Sequence, residues 1–471
     1  MAQRAMGSFT EEAVKSVSLS LEEPAWLTEL RLQAFEQFRS LPAEKNPLYT
    51  KYAFISAFDE SAFGAYPKGT EADPRSFFKG YLTGKEANLL LQANQNEFPA
   101  QLESTISSAG TVLMPLRDAI RHDEQRMRRL FEDRLVKSEA DRYAAFVNAF
   151  FNAGTYVSVP EGVVVGEPLR KMLITDNPTG GIIEQNFIAV GARSRLVFLE
   201  ESYSRQGGSQ PLVASTTEIR AAPGSVVDFS SIQLLNDQAV HVANRAIDVS
   251  SDSRVTVSTL ALGSLVSRSR MNFLLNGRGA MAEGYEIFFT DDRQRYDFES
   301  NLVHVSPDTT GSTQARGVLK GESRSIFKGM IRIGSQAKNS RAYLAHHAML
   351  LEKTAKSDGI PGLEILTNEV KATHSASVAQ IDEEQLFYLM ARGLPLDDAR
   401  KMVVLGFFEP VLSRIPIEQT REGARFMIEG KWHGEKRTLA DRDALIALTG
   451  ETMPQVRPAQ DLFESHYKYR Q

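Results

Sequence analysis

The sequence contains no cysteine. That excludes a disulfide scaffold and any thiolate-ligated metal site built by this chain alone. There is no basic excess: 54 Lys and Arg against 59 Asp and Glu give a net charge of −5, without the charge signature of a nucleic-acid or anionic-membrane surface. No apolar run reaches the roughly 18 residues of a membrane-spanning helix. The opening stretch MAQRAMGSFTEEAVKSVSLSLEEPAW lacks the apolar core of a secretory signal. A cytoplasmic protein with neither nucleic-acid nor membrane partners is expected. The phosphate-binding loop G-x-x-x-x-G-K-[ST], the zinc-protease H-E-x-x-H and the nucleophile elbow G-x-S-x-G are all missing, which removes nucleotide hydrolysis and two large hydrolase classes. GRGAMAEG matches a glycine-rich loop only loosely, and no helical pattern follows it.

What is present is 471 residues, 42% apolar and 24% charged, an ordinary globular composition spread over two or three packing units. The chain divides into three zones, 1–154, 155–374 and 375–471. In the first, PAWLTELRLQAFEQFRSLP places Trp26, Leu27, Leu30, Phe35 and Phe38 at helical spacing between Pro24 and Pro42. SEADRYAAFVNAFFNAG reads as a second helix, starting at Ser138 and stopping at Gly154. Residues 45–75 read as irregular.

From TYVSVPEGVVVGEPL onward the helical period gives way to β-branched alternation. Short alternating runs follow small residues at Ser194, Ser225, Ser253, Gly279 and Ser323, spaced roughly 26 to 44 residues apart, a range typical of stacked repeats. A β-sandwich is the competing architecture, but it calls for more hairpin signals than the single Asn276–Gly277 and Asp358–Gly359 pairs. A right-handed parallel β-helix, turning through small-residue corners, is therefore expected as a mainly β core flanked by N-terminal and C-terminal helical regions. Beyond residue 375, IDEEQLFYLMARGLP begins with Asp382, Glu383 and Glu384, ends with Arg392 and stops at Gly393 and Pro395. LPLDDARKMVVLGFFEPVLSRIP repeats the plan, with Pro410 as a break or kink. A short apolar helix is expected near ALIALTG.

Two features could carry chemistry. The first is TDDRQRYDFES, with Asp291, Asp292, Asp297 and Glu299. Paired carboxylates on a β-helix would suit a polysaccharide-cleaving enzyme, although a solvated loop interleaved with Arg293 and Arg295 is the commoner arrangement. The second is the histidines: His122, His241, His304, His433 and His466 are scattered, whereas His346, His347 and His374 fall near the end of the β zone. Adjacent histidines in a strand face opposite sides, so only one of His346 and His347 can join a given site. Pattern alone favours a structural or surface role for His374.

The residues around it carry a longer resemblance. NAFFNAGTYVSVPEGVVVGEPL, GVLKGESRSIFKGMIRI and the run from RAYLAHHAMLLEKTAKSDGIPGLEILTNEVKATHSAS to VAQIDEEQLFYLMARGLPLDDARKMVVLGFFEPVLSRIP resemble the SufB/SufD family of iron–sulfur cluster assembly proteins, over about 148–416. SufB-type chains carry a cysteine where this one aligns His347, and Glu where it has Ser375. SufD-type chains keep a histidine at the position of His374 in a K-C-S-H-like context, here Lys371, Ala372, Thr373 and His374. The SufD-like branch is the better match, without the neighbouring cysteine.

The resemblance implies a scaffold that is not itself an enzyme, paired with a SufB-type subunit or with itself and driven by the SufC-type ABC ATPase. It places His374 at the pairing seam as a transient ligand of iron or a nascent iron–sulfur cluster, with His347 as an accessory ligand. It places ATPase docking on the C-terminal helices, where Leu386, Phe387, Leu389, Met402, Phe407 and Phe408 are the apolar candidates. No cofactor is expected on this chain alone; a flavin in the complex is compatible with the family. The readings from other classes are a β-helix carbohydrate-active enzyme using residues 291–299 and a purely structural homodimer.

Overall fold

The computed structural model describes residues 9–44, 87–175, 181–204, 210–415 and 418–435. The irregular segment expected at 45–75 and the helix expected near ALIALTG lie outside these residues. From Thr155 the chain winds into a parallel β-solenoid of about seven turns, each turn giving one strand to each of two sheets. Every long strand pairs in parallel with the strand two places later in the chain, as Thr310–Leu319 does with Arg341–Leu350, which in turn pairs with Lys371–Gln380. The other sheet ends on Arg324–Ile333 and Lys356–Ile365. Parallel pairing between successive coils separates this architecture from a sandwich; antiparallel pairing is confined to the N-terminal end, as between Leu89–Ala93 and Asn96–Phe98.

The corners explain the small-residue anchors. A left-handed residue is followed directly by a small buried one: Arg193 and Ser194, Gly224 and Ser225, Asp252 and Ser253, Gly279 and Ala280, Asp308 and Thr309, Asn339 and Ser340. A short side chain sits inside each bend, and at Ser194, Ser253, Thr309 and Ser340 its hydroxyl bonds a corner carbonyl or a neighbouring corner's hydroxyl. Ser253 Oγ donates to the Ser250 carbonyl at 2.6 Å, and Thr309 and Ser340 share a hydrogen bond of 2.7 Å.

The strands alternate between an interior cluster, including Phe198, Phe229, Phe273, Phe298, Phe327 and Leu344, and outward residues that pack against helices. Burial on both faces accounts for their near-continuous apolar runs. The N-terminal helices, among them Glu11–Ser20, Ala25–Ser40 and Arg142–Phe150, cover the outer face of the nine-stranded sheet through Phe35, Phe38, Phe146 and Phe150. The helix Arg142–Phe150 starts later than its sequence pattern predicts. Asp141, not Ser138, is its cap, accepting from Tyr143 N and Ala144 N. Arg268 and Arg270 on a neighbouring strand fix Asp141 there at 3.6 and 2.5 Å. Burial alone would raise this carboxyl; the two guanidinium groups and the two amide donors hold it down at about 2. The helix ends at Phe151, and Gly154 has another role: a Cβ there would lie 2.0 Å from the Gln185 carbonyl oxygen.

The C-terminal helices Glu383–Ala391, Leu396–Leu412 and Glu418–His433 follow the last strand. Val404, Phe408, Val411, Leu412, Ala424 and Ile428 lie on the outer face of the ten-stranded sheet. The helix Leu396–Leu412 runs through Pro410 without breaking. Among the described residues no helix is long and apolar enough to cross a membrane.

Candidate functional site: the open end of the solenoid

Among the described residues, nothing stacks on the last coil. Lys356–Ile365 and Lys371–Gln380 are the edge strands of their sheets, each hydrogen-bonded to one neighbour. Side chains that would be core one coil earlier are exposed here: Leu363 follows Ile331 in register yet is 41% exposed, and Val378 follows Ala348 yet is 42% exposed. Leu366 is exposed beside them. The interior of the solenoid is thus presented to solvent as an apolar, unpaired surface.

His374 lies within the last strand and is exposed. Its register partner is Leu344, a core residue, so it belongs to the inward-facing column. His347 pairs with Ser377 and faces the other way, toward the C-terminal helices. Its Nδ1 is 2.7 Å from Ser377 Oγ. Burial, and then the charge of the neighbouring Arg316, lower its pKa. Arg316 is tied in turn to the helical layer, donating to the Phe407 carbonyl oxygen at 3.0 Å. His374 and His347 therefore stand on opposite faces of one sheet. The histidine on the face of His374 is His346, which the sequence pattern left undistinguished from its neighbour. Among the described residues no group of three His, Asp or Glu side chains could hold a metal ion.

The apolar candidates of the C-terminal helices separate by exposure. Phe387 at 74% and Met402 at 50% face solvent, joined there by Tyr388, Met390 and Leu396. Leu386 and Phe408 are buried, Phe408 against Phe289 with ring centroids 6.1 Å apart. Leu389 and Phe407 are half-buried.

The carboxylates of 291–299 separate: Asp292 lies exposed in a turn beside Arg293, as a solvated loop would have it, and the other three are ion-paired. Asp297 is buried and takes Lys328 Nζ at 2.9 Å; Glu299 takes Arg270 at 2.7 Å. Asp291 meets Lys431 Nζ at 3.3 Å. The cations come from other strands and from the C-terminal helix rather than from Arg293 and Arg295, so the local sequence does not reveal them. Carboxylates held in such pairs leave no free acid and base facing a sugar.

Comparison with known proteins agrees with this architecture. The family description "SUF system FeS cluster assembly, SufBD core domain" matches residues 173–407. An iron–sulfur cluster assembly SufBD family protein of Staphylococcus epidermidis is 25% identical over 447 residues, covering 91% of this chain and 94% of the relative. Those of Staphylococcus haemolyticus and Staphylococcus aureus are 25% and 24% identical with the same coverage. The matched residues hold most of the solenoid, its open end, the first C-terminal helix and most of the second, and the chain belongs to the SufBD family of iron–sulfur cluster assembly proteins.

Proposed function

We propose that this chain is a SufD-like, non-ATPase scaffold subunit of a SUF-type assembly complex. Its open end pairs with a SufB-type subunit. His374 supplies an imidazole to iron of a nascent cluster whose thiolate and sulfide come from that partner. Its C-terminal helices dock the SufC ATPase. The observation that carries the pairing is the uncapped last coil: two ten-residue edge strands, with exposed Leu363 and Val378 on their inward columns. Such edges are templates for another chain, and soluble proteins ordinarily blunt them. The zero-cysteine composition supports a partner as the thiolate source.

Docking on the helices is supported by the exposure of Phe387, Tyr388, Met390 and Met402 on two consecutive helices, large apolar side chains that would be covered by a partner. The pairing test is Leu363→Lys with Val378→Lys in this chain, co-expressed with the SufB-type subunit. Lost co-purification with an unchanged melting temperature is expected; retained pairing would refute the seam. The same double variant, measured alone by native mass spectrometry, tells whether self-pairing uses the same end.

A further inference from the structure

The inner face of the ten-stranded sheet carries, on Arg341–Leu350, a second imidazole beside His374, and its role as a metal ligand rests on reading this open end as the cluster-assembly seam. His346 is fully buried and stacks on Phe327, ring centroids 5.1 Å apart and planes within 5°. Its Nε2 is 3.5 Å from Ser357 Oγ, which is itself 2.8 Å from Ser325 Oγ. A proton on Nε2, directed at Ser357, leaves the lone pair on Nδ1. Nδ1 has no hydrogen-bond partner. A buried, unsatisfied nitrogen is a cost that native proteins rarely carry without a use.

Small residues surround that atom. A Cβ built on Gly359 would stand 2.7 Å from His346 Nδ1 and 3.4 Å from Ala376 Cβ, so only a glycine leaves the lone pair unobstructed on that side. His346 pairs in register with Ala376, and Leu344 with His374. His374 is therefore the diagonal neighbour of His346 on one face, an arrangement within reach of long side chains.

We propose that His346 Nδ1 and His374 form a two-histidine site for a divalent transition-metal ion, lodged in the space that Gly359 leaves open. Neutral imidazoles suit first-row metals such as Fe2+ and Co2+. Two nitrogen ligands with no carboxylate hold an ion weakly. The remaining positions are left to water or to a partner's thiolate, as a site that passes its ion on requires.

The probe is Co2+ alone, titrated into the full chain without oxygen and followed by its visible absorption, with a thermal melt for each variant. His346→Phe keeps the ring stacked on Phe327 and removes the nitrogen. Gly359→Ala puts a Cβ 2.7 Å from Nδ1, blocking the space while removing no ligand. Each of these, and His374→Ala, is expected to weaken Co2+ binding at least tenfold, with His347→Ala within twofold of wild type. If His346→Phe alters the melt, Gly359→Ala and His346→Asn decide. Wild-type binding in His346→Phe and Gly359→Ala overturns the site, as does a loss confined to His347→Ala. Cluster formation with His374→Ala in the complex tests the assembly role separately. Lost clusters with intact Co2+ binding in His346→Phe refute the two-histidine site alone. Intact clusters with lost Co2+ binding refute the assembly role of His374 and leave the metal site standing.

Discussion

Lys431 Nζ is held 3.3 Å from Asp291 Oδ1 at a corner of the solenoid, where it also donates to the carbonyl oxygens of Leu262 and Phe289 at 2.5 and 2.6 Å and to Gln294 Oε1 at 2.8 Å. A lysine in the last turn of the final described helix thus satisfies acceptors from three parts of the solenoid wall. Lys320 answers from the wall, donating to the Trp432 carbonyl oxygen at 3.1 Å. Together with Arg316 on Phe407, these cations fasten the helical layer to the ten-stranded sheet.

Removing the lysine leaves buried acceptors and a carboxylate unpaired. Lys431→Met is expected to cost roughly 2–4 kcal/mol. The loss should appear first as faster proteolysis or hydrogen exchange within 396–433, ahead of the solenoid core. A uniform loss across all strands would mean that the clasp stabilises the whole chain rather than the helical layer.

Glu286 gives a pH prediction. Both its carboxyl oxygens are buried without a partner. Burial raises its pKa to about 8 from 4.5, with Arg245 opposing and Glu299 adding to the rise. The folded chain therefore keeps a proton that the unfolded chain releases. This contribution to stability is fully present below about pH 4.5 and is lost as pH rises toward 8. Glu286→Gln should match wild type near pH 4.5 and gain over it by roughly 1.4 kcal/mol per pH unit from there until the gap levels off near pH 8. Denaturant melts at several pH values read the difference; a gap independent of pH would contradict a neutral Glu286.

The C-terminal helices offer a contrast between docking and packing. Phe387→Asp and Met402→Asp alter exposed side chains and should leave the melting temperature within a degree or two while abolishing co-purification with the SufC ATPase. Phe408→Ala empties a fully buried position and should cost about 3–5 kcal/mol. ATPase binding that survives both aspartates would move docking off this surface.

The solenoid was legible in the sequence because its corners are local: Ser194, Ser225, Ser253 and Ser323 mark bends that hold a small side chain, and the alternation after them fixes which side faces in. The acidic start of the helix Glu383–Ala391 and its stop at Gly393 were legible for the same reason, although Asp382 is its N-cap and not part of its first turn. What escaped depends on pairing across coils. Asp297 and Glu299 looked like solvated charges because Lys328 and Arg270 reach them from adjacent strands. Asp141 displaced Ser138 as a cap because Arg268 and Arg270 hold it from far along the chain. Adjacent His346 and His347 had to face opposite sides, but only the register of Arg341–Leu350 with Lys371–Gln380 tells which one shares the face of His374.

Ligation of iron in the forming cluster by His374, at the open seam, is tested most directly by anaerobic cluster formation in a reconstituted complex. The complex contains this chain, the SufB-type subunit and the SufC ATPase, and wild type is compared with His374→Ala after size-exclusion chromatography has shown both complexes intact. Cluster yield is expected to fall at least tenfold in the variant; wild-type yield from an intact complex would contradict a ligand role for His374.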